Sequence, residues 1–226
     1  MPHPVPPTTQ FPFEDYYKGK YTKNQIFLHH TAGNDSGKGV YRWWEKDKGT
    51  IGTCVVISGD SSTETKDGEI IQGFSSKFWA YHLGLRSKTF AAYNLPYKAL
   101  DKYSIGVEIC NWGYLIEKAD GFYTYVDTKV DESEVIELAE PFKGFKYWHN
   151  YTDAQIASVK ELLLYWRDFY GIPLKFNEDI FSVTPRALRG EAGIYTHNSV
   201  RADKFDIYPH PKLIDMLKNL ENEEFL

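Results

Sequence analysis

Short apolar runs and one long helical repeat alternate along the chain. Residues 25–30 (QIFLHH), 55–58, 69–73 and 104–110 (SIGVEIC) are compact apolar stretches bounded by polar or turn-forming segments, the pattern of buried strands. The second and third are joined by a polar loop at residues 59–68. After the first run, Asp35 or Ser36 is placed to cap a helix reaching about Lys48. Residues 88–93 suggest a short helix ended by Pro96. The clearest repeat covers residues 153–170, where Ile156, Val159, Leu162, Leu163 and Trp166 recur at helical spacing. Thr152 with Gln155 three residues on forms a capping box, and Gly171-Ile172-Pro173 stops the helix. Residues 194–197 read as a short strand or turn. Pro211 opens a last helix with Leu213, Met216, Leu217 and Leu220 on one side. Residues 113–146 carry no clear period, although 122–126 suggests one arm of a hairpin. Alternation of strands and helices predicts a mixed α/β domain, a mixed central β-sheet covered by helices. The proline-rich residues 1–24 are expected to form an extended N-terminal arm ahead of a single domain at 25–226.

Composition narrows the partners. The 226 residues carry a net charge of -5, and the basic residues form only short mixed clusters such as 18–23. Nucleic acid is therefore not an expected partner, because its binders present a basic face. No stretch reaches the roughly 18 apolar residues that span a membrane. The N-terminus lacks a basic start followed by an apolar core, so no signal peptide is expected and synthesis is placed in the cytoplasm. The two cysteines, Cys54 and Cys110, lie inside apolar runs and read as buried free thiols, which suits a reducing compartment. Aromatic residues are 16% of the chain. Most should pack in the core, while some are suited to line a groove for sugars or peptides.

Candidate chemistry centres on a few positions. His29 and His30 end a strand, so they point to opposite faces and one can serve a site while the other packs. His197 lies in THNSVRADKFD, nine residues before Asp206. Neither HExxH nor paired CxxC is present, so spacing alone gives no metal signature. Glu108 is a single carboxylate inside an apolar strand.

Five segments in register add a stronger signal. IFLHHTAG (26–33), WAYHLG (79–84), SIGVEIC (104–110), YTDAQIASVKELL (151–163) and H-x6-K-x-D (197–206) together resemble the type-2 N-acetylmuramoyl-L-alanine amidase family. That family includes phage lysozyme-type amidases, cytosolic muropeptide amidases and animal peptidoglycan recognition proteins. The resemblance spans about residues 25 to 211 and implies an amidase/peptidoglycan-recognition-protein-like fold. It implies Zn2+ held by His29, His197 and Asp206, with Asp203 as the alternative third ligand. Two imidazoles and a carboxylate leave a fourth position for a water that zinc acidifies. Glu108 matches the general base and Lys204 the cation that steadies the developing oxyanion. Lys204 and Asp206, two apart on an extended segment, face the same way. His82 matches a substrate-binding pocket residue. Thr53 stands where several phage-type members carry an assisting Tyr, which shifts weight onto Glu108.

The function implied is zinc-dependent hydrolysis of the amide joining N-acetylmuramic acid to L-alanine in peptidoglycan, by a bacteriolytic phage-type endolysin. Its substrate would be peptidoglycan or a muropeptide, and a monomer is expected. Such an enzyme would act on the cell wall after release from the host cytoplasm. A non-catalytic peptidoglycan-binding module, a cytosolic muropeptide-recycling amidase and a secreted toxin are the alternatives. The first of these predicts a missing ligand.

Overall fold

The computed structural model describes residues 2–33, 36–47 and 49–223. Six strands build the central sheet: β1 (Thr9–Gln10), β2 (Gln25–His30), β3 (Val55–Ile57), β4 (Ile70–Gln72), β5 (Ser104–Ile109) and, late in the chain, β11 (Gly193–Thr196). Their spatial order is β1-β4-β3-β5-β2-β11. Only the β3–β4 pair is antiparallel; the others run parallel. The mixed α/β class expected from the alternating runs is observed.

The helices are α1 (Gly37–Trp44), α2 (Ser87–Ala91), α3 (Leu100–Tyr103), α4 (Asp153–Tyr170), α5 (Pro185–Leu188) and α6 (Pro211–Asn219). α4 begins and ends where its local signals place it. Thr152 and Gln155 close the capping box, and Gly171 adopts φ 71° at the C-terminus, a left-handed conformation that glycine takes without steric cost. α1 is capped by Ser36, whose hydroxyl accepts from the Gly39 amide, and is shorter than expected. Asp35 and Lys48, the other proposed limits of that helix, lie outside the described residues.

Residues 9–13 of the N-terminal segment lie along the sheet edge. β1 pairs with β4, Phe11 stacks on Tyr41 at 5.3 Å, and Phe13 is buried. Lys23 is also fully buried, its ammonium donating to the Lys102 carbonyl at 2.9 Å. Cys54 and Cys110 are buried and form no disulfide.

The segment without a clear period forms a second sheet. β6 (Tyr114–Lys118), β7 (Gly121–Tyr123), β8 (Lys129–Val130), β9 (Val135–Phe142) and β10 (Phe145–His149) are antiparallel in the order β8-β7-β6-β10-β9. Most of their side chains are partly exposed, so no apolar alternation marks them. β9 and β10 meet at the two-residue turn Lys143-Gly144, with φ of 50° and 88°. Two successive positive φ values define the tight hairpin turn whose twist matches its strands.

No helix among the described residues is long and apolar enough to cross a membrane.

Candidate metal centre and cleft

Strand register brings the first two chemical groups together. β2 and β5 pair in parallel with His29 opposite Glu108 and Phe27 opposite Gly106. Because side chains alternate, His29, Glu108, Gly106 and Ser104 share one face, while His30, Ile105, Val107 and Ile109 take the other. His30 is buried with its Nδ1 2.7 Å from the Tyr151 hydroxyl. The two adjacent histidines therefore divide between site and core.

His197 follows β11 in a short 3₁₀ turn over His197–Ser199. It meets His29 because β11 pairs with β2. Asp206 arrives from the loop that follows. His29 Nδ1 lies 3.1 Å from His197 Nδ1 and 3.1 Å from Asp206 Oδ2, and His197 Nδ1 lies 2.9 Å from the same carboxylate oxygen. These three residues form a group able to hold a metal ion. Asp203 stands apart: its carboxylate accepts from Arg201 at 3.0 and 2.5 Å, and its side chain is 67% exposed.

The hydrogen-bond chain behind the cluster fixes where its protons sit. Ser104 donates to the Leu100 carbonyl at 2.9 Å. Its one proton is thus committed, and its oxygen accepts from His82 Nε2 at 2.9 Å. Burial pushes the His82 imidazole well below its ordinary pKa, so the ring is neutral and its Nδ1 is bare. That Nδ1 lies 3.0 Å from His29 Nε2, which must donate. Burial likewise pushes His29 down to about 4, leaving its Nδ1 with a free lone pair. His197 is oriented by a shorter route: its Nε2 donates to the Leu83 carbonyl 3.0 Å away, an acceptor only, which turns Nδ1 to the cluster.

Two imidazole nitrogens, each on a ring whose far nitrogen is already engaged, and a carboxylate oxygen therefore converge within 3.1 Å of one another. Ligand atoms so close together need a proton or a metal ion between them. Ligand atoms about 2.0–2.2 Å from a tetrahedral zinc are about 3.4 Å apart, close to the spacing seen. The donor set and the anchoring of each far ring nitrogen fit Zn2+.

The cluster lies in a cleft of about 670 Å³ that also takes in Glu108, Lys204 and Thr53. Burial first, then the charge of Asp206, hold the Glu108 carboxyl well above the ordinary carboxylate range, while Lys204 opposes the rise. Thr53 is buried and its hydroxyl donates to the Val55 carbonyl at 2.8 Å, so its one proton is already engaged. Gly106 makes room here: a Cβ on it would come within 2.7 Å of Thr53 Cγ2 and 3.1 Å of the His82 ring.

His82 thus sits behind His29 as well as lining the cleft. Asp101 completes its support by accepting from the His82 and Leu83 amides at 2.9 Å each. Ser104 and Asp101 carry no signal in the sequence, because their partners are set by tertiary contacts. The cleft walls answer the question raised by the aromatic content. α1 contributes Trp43, 64% exposed, and the turn between β7 and β8 contributes Tyr125, 50% exposed.

Fold and site together define a class: a mixed α/β protein whose cleft carries a His-His-Asp group beside a buried carboxylate. The family model described as N-acetylmuramoyl-L-alanine amidase matches residues 20–211, and the chain belongs to that family. Among solved structures, the chain is similar to the N-acetylmuramoyl-L-alanine amidase LysC from Clostridium intestinale URNW, at 14% identity. That match covers 97% of this chain and 100% of the other, with a TM-score of 0.52. It is also similar to AmpD, at 14% identity over 94% of this chain and 95% of the other, with a TM-score of 0.50. At such identities the likeness establishes the fold. A comparison with curated proteins found no match.

Proposed function

We propose that this protein is a zinc-dependent amidase that hydrolyses the bond between N-acetylmuramic acid and L-alanine in peptidoglycan, in the manner of a phage-type endolysin. The observation that carries the reading is the convergence of one ligand atom each from His29, His197 and Asp206 in the cleft that holds Glu108.

His29, His197 and Asp206 hold the metal. Bound there, Zn2+ supplies a Lewis acid that polarises the amide carbonyl and acidifies water. Glu108 takes the proton from the attacking water. Its raised pKa makes the carboxylate a stronger base than a solvated Glu, and Lys204 opposes the rise. As the carbonyl oxygen gains charge, the Lys204 ammonium stabilises it. Glu108 then returns its proton to the alanine nitrogen as the C–N bond breaks. The second proton of the attacking water also passes to that nitrogen, so the products are the lactyl carboxylate of the sugar and the alanine ammonium, and atoms and charge balance. His82 keeps His29 in the tautomer that presents Nδ1. Trp43 and Tyr125 offer exposed ring faces on which sugars stack.

A cleft lined by two exposed rings suits a polymer chain, which supports wall lysis over muropeptide recycling. Loss of catalysis, as in a pure recognition module, is disfavoured because all three ligands, Glu108 and Lys204 line one cleft.

Digestion of purified cell walls tests the reading. New amino termini at L-alanine, lost with a chelator and restored by zinc, are expected. Release of reducing sugar ends instead would sink it. Faster turnover of soluble muropeptides than of intact walls would replace the endolysin role by recycling.

A further inference from the structure

We propose that Lys143 is a positioning residue, whose ammonium reaches from the hairpin tip of the second sheet to set the loop carrying Lys204 and Asp206. The proposal concerns how this chain holds its third metal ligand, and rests on the zinc reading only for one of its two readouts.

An ammonium has three N–H donors, and all three have acceptors here. Lys143 Nζ donates to Asn198 Oδ1 at 2.6 Å, to the Ala202 carbonyl at 3.0 Å, and to the Lys204 carbonyl. Those acceptors bracket the loop from the turn holding His197 to the residue beside Phe205. The chain of bonds continues to the ligand. Asn198 is fully buried, and its Nδ2 donates to the Asp206 and Ile207 carbonyls at 2.8 Å each. One amide side chain therefore has its oxygen held by Lys143 and its nitrogen on the backbone of Asp206.

Two further features make this more than a solvated surface lysine. The ammonium lies 5.6 Å from the Phe142 ring centre and 5.5 Å from that of Phe205, within cation–π range. Phe205 itself is packed on the second sheet, 5.4 Å from Tyr114 and 5.9 Å from Phe145. The residue between Lys204 and Asp206 is thus gripped by the same sheet that sends Lys143. Lys143 also adopts φ 50°, a conformation that Asn or Gly would take at lower steric cost. The turn keeps a lysine there, and its side chain accounts for the choice.

Loop 198–206 has little regular structure of its own. Without Lys143 the Asp206 carboxylate loses part of its orientation, and groups that orient metal ligands typically contribute 10–100-fold in metal affinity.

The test uses the full chain with Lys143→Met, which keeps the stem, and Lys143→Gln as a second variant. Zinc affinity is measured by competition with a chromophoric chelator, and amide hydrogen exchange is followed in the metal-free protein. The expected result is zinc binding weakened about 10-fold or more, with exchange accelerated at residues 200–207 while β2 and α4 stay protected. Smaller losses of affinity in both variants, or unchanged exchange in the loop, would overturn the proposal. So would acceleration throughout the protein, since that marks a general structural role. If the wild-type chain binds no zinc, the metal reading fails, and loop exchange still decides the case of Lys143.

Discussion

His82 Nδ1 lies 3.0 Å from His29 Nε2, and the direction of the proton between them is imposed from the Leu100 carbonyl through Ser104. The tautomer of a metal-competent histidine is thereby set by a backbone acceptor two side chains away. Replacing Ser104 by Ala removes the acceptor that holds the proton on His82 Nε2. Zinc affinity should fall about 10-fold, and further for His82→Ala, within the range for groups behind a metal ligand. Isothermal titration with zinc checks this, and unchanged affinity in both variants would refute the relay.

Glu108→Gln keeps the shape of the side chain and removes its basicity. Turnover on cell walls should fall by about 10²–10⁴-fold, the range for a general acid–base group, while zinc remains bound. Metal analysis of the purified variant beside a turnover assay separates loss of the base from loss of the metal.

Trp43 and Tyr125 are exposed and line the same cleft. Alanine at either should raise KM about 2–10-fold, in line with 0.5–1.5 kcal/mol for an aromatic contact, with kcat little changed. A matching fall in kcat with KM constant would move these rings from substrate binding to the chemistry.

Lys23 gives a pH signature remote from the cluster. Burial lowers its pKa from 10.5 to about 8, against the opposing pull of Cys54 and Asp101. Below pH 8 the cost of burying the ammonium is fully present. Between about 8 and 10.5 the unfolded chain binds the proton that the fold has released, so stability rises with pH through that window. Lys23→Met lacks this gain. Its stability relative to the wild type should drop by up to about 3 kcal/mol between pH 7 and 10.5, read from urea unfolding at both values. A difference independent of pH would mean that Lys23 keeps its proton when buried.

Elements governed by neighbours in sequence were legible without the structure. α4 carries its start in Thr152 and Gln155, its stop in Gly171, and its buried side in a 3.6-residue repeat. β2 and β5 are apolar because both faces are covered, which also made Glu108 conspicuous. The second sheet was not legible. Its strands are largely exposed, so hydrogen bonding and long-range aromatic contacts hold them in place of a regular apolar pattern.

His29 as the strand-end histidine, Glu108 as the buried carboxylate and the Lys204–Asp206 pair were readable as candidates, because each is a local pattern or a motif. The choice of Asp206 over Asp203 at the cluster depended on a turn in which Arg201 captures the Asp203 carboxylate. His82 reads as a pocket residue in sequence, and only its contacts with His29 and Ser104 make it an orienting group. Lys143 looks like an ordinary solvated turn residue until its hairpin meets the loop after His197. The chain by itself determined which chemical groups are present and on which face of a strand they stand, since those follow from side-chain period and capping. Tertiary structure alone decided which ring nitrogens face the cluster, which carboxylate joins them and what holds the loop, because orientation depends on partners far along the chain.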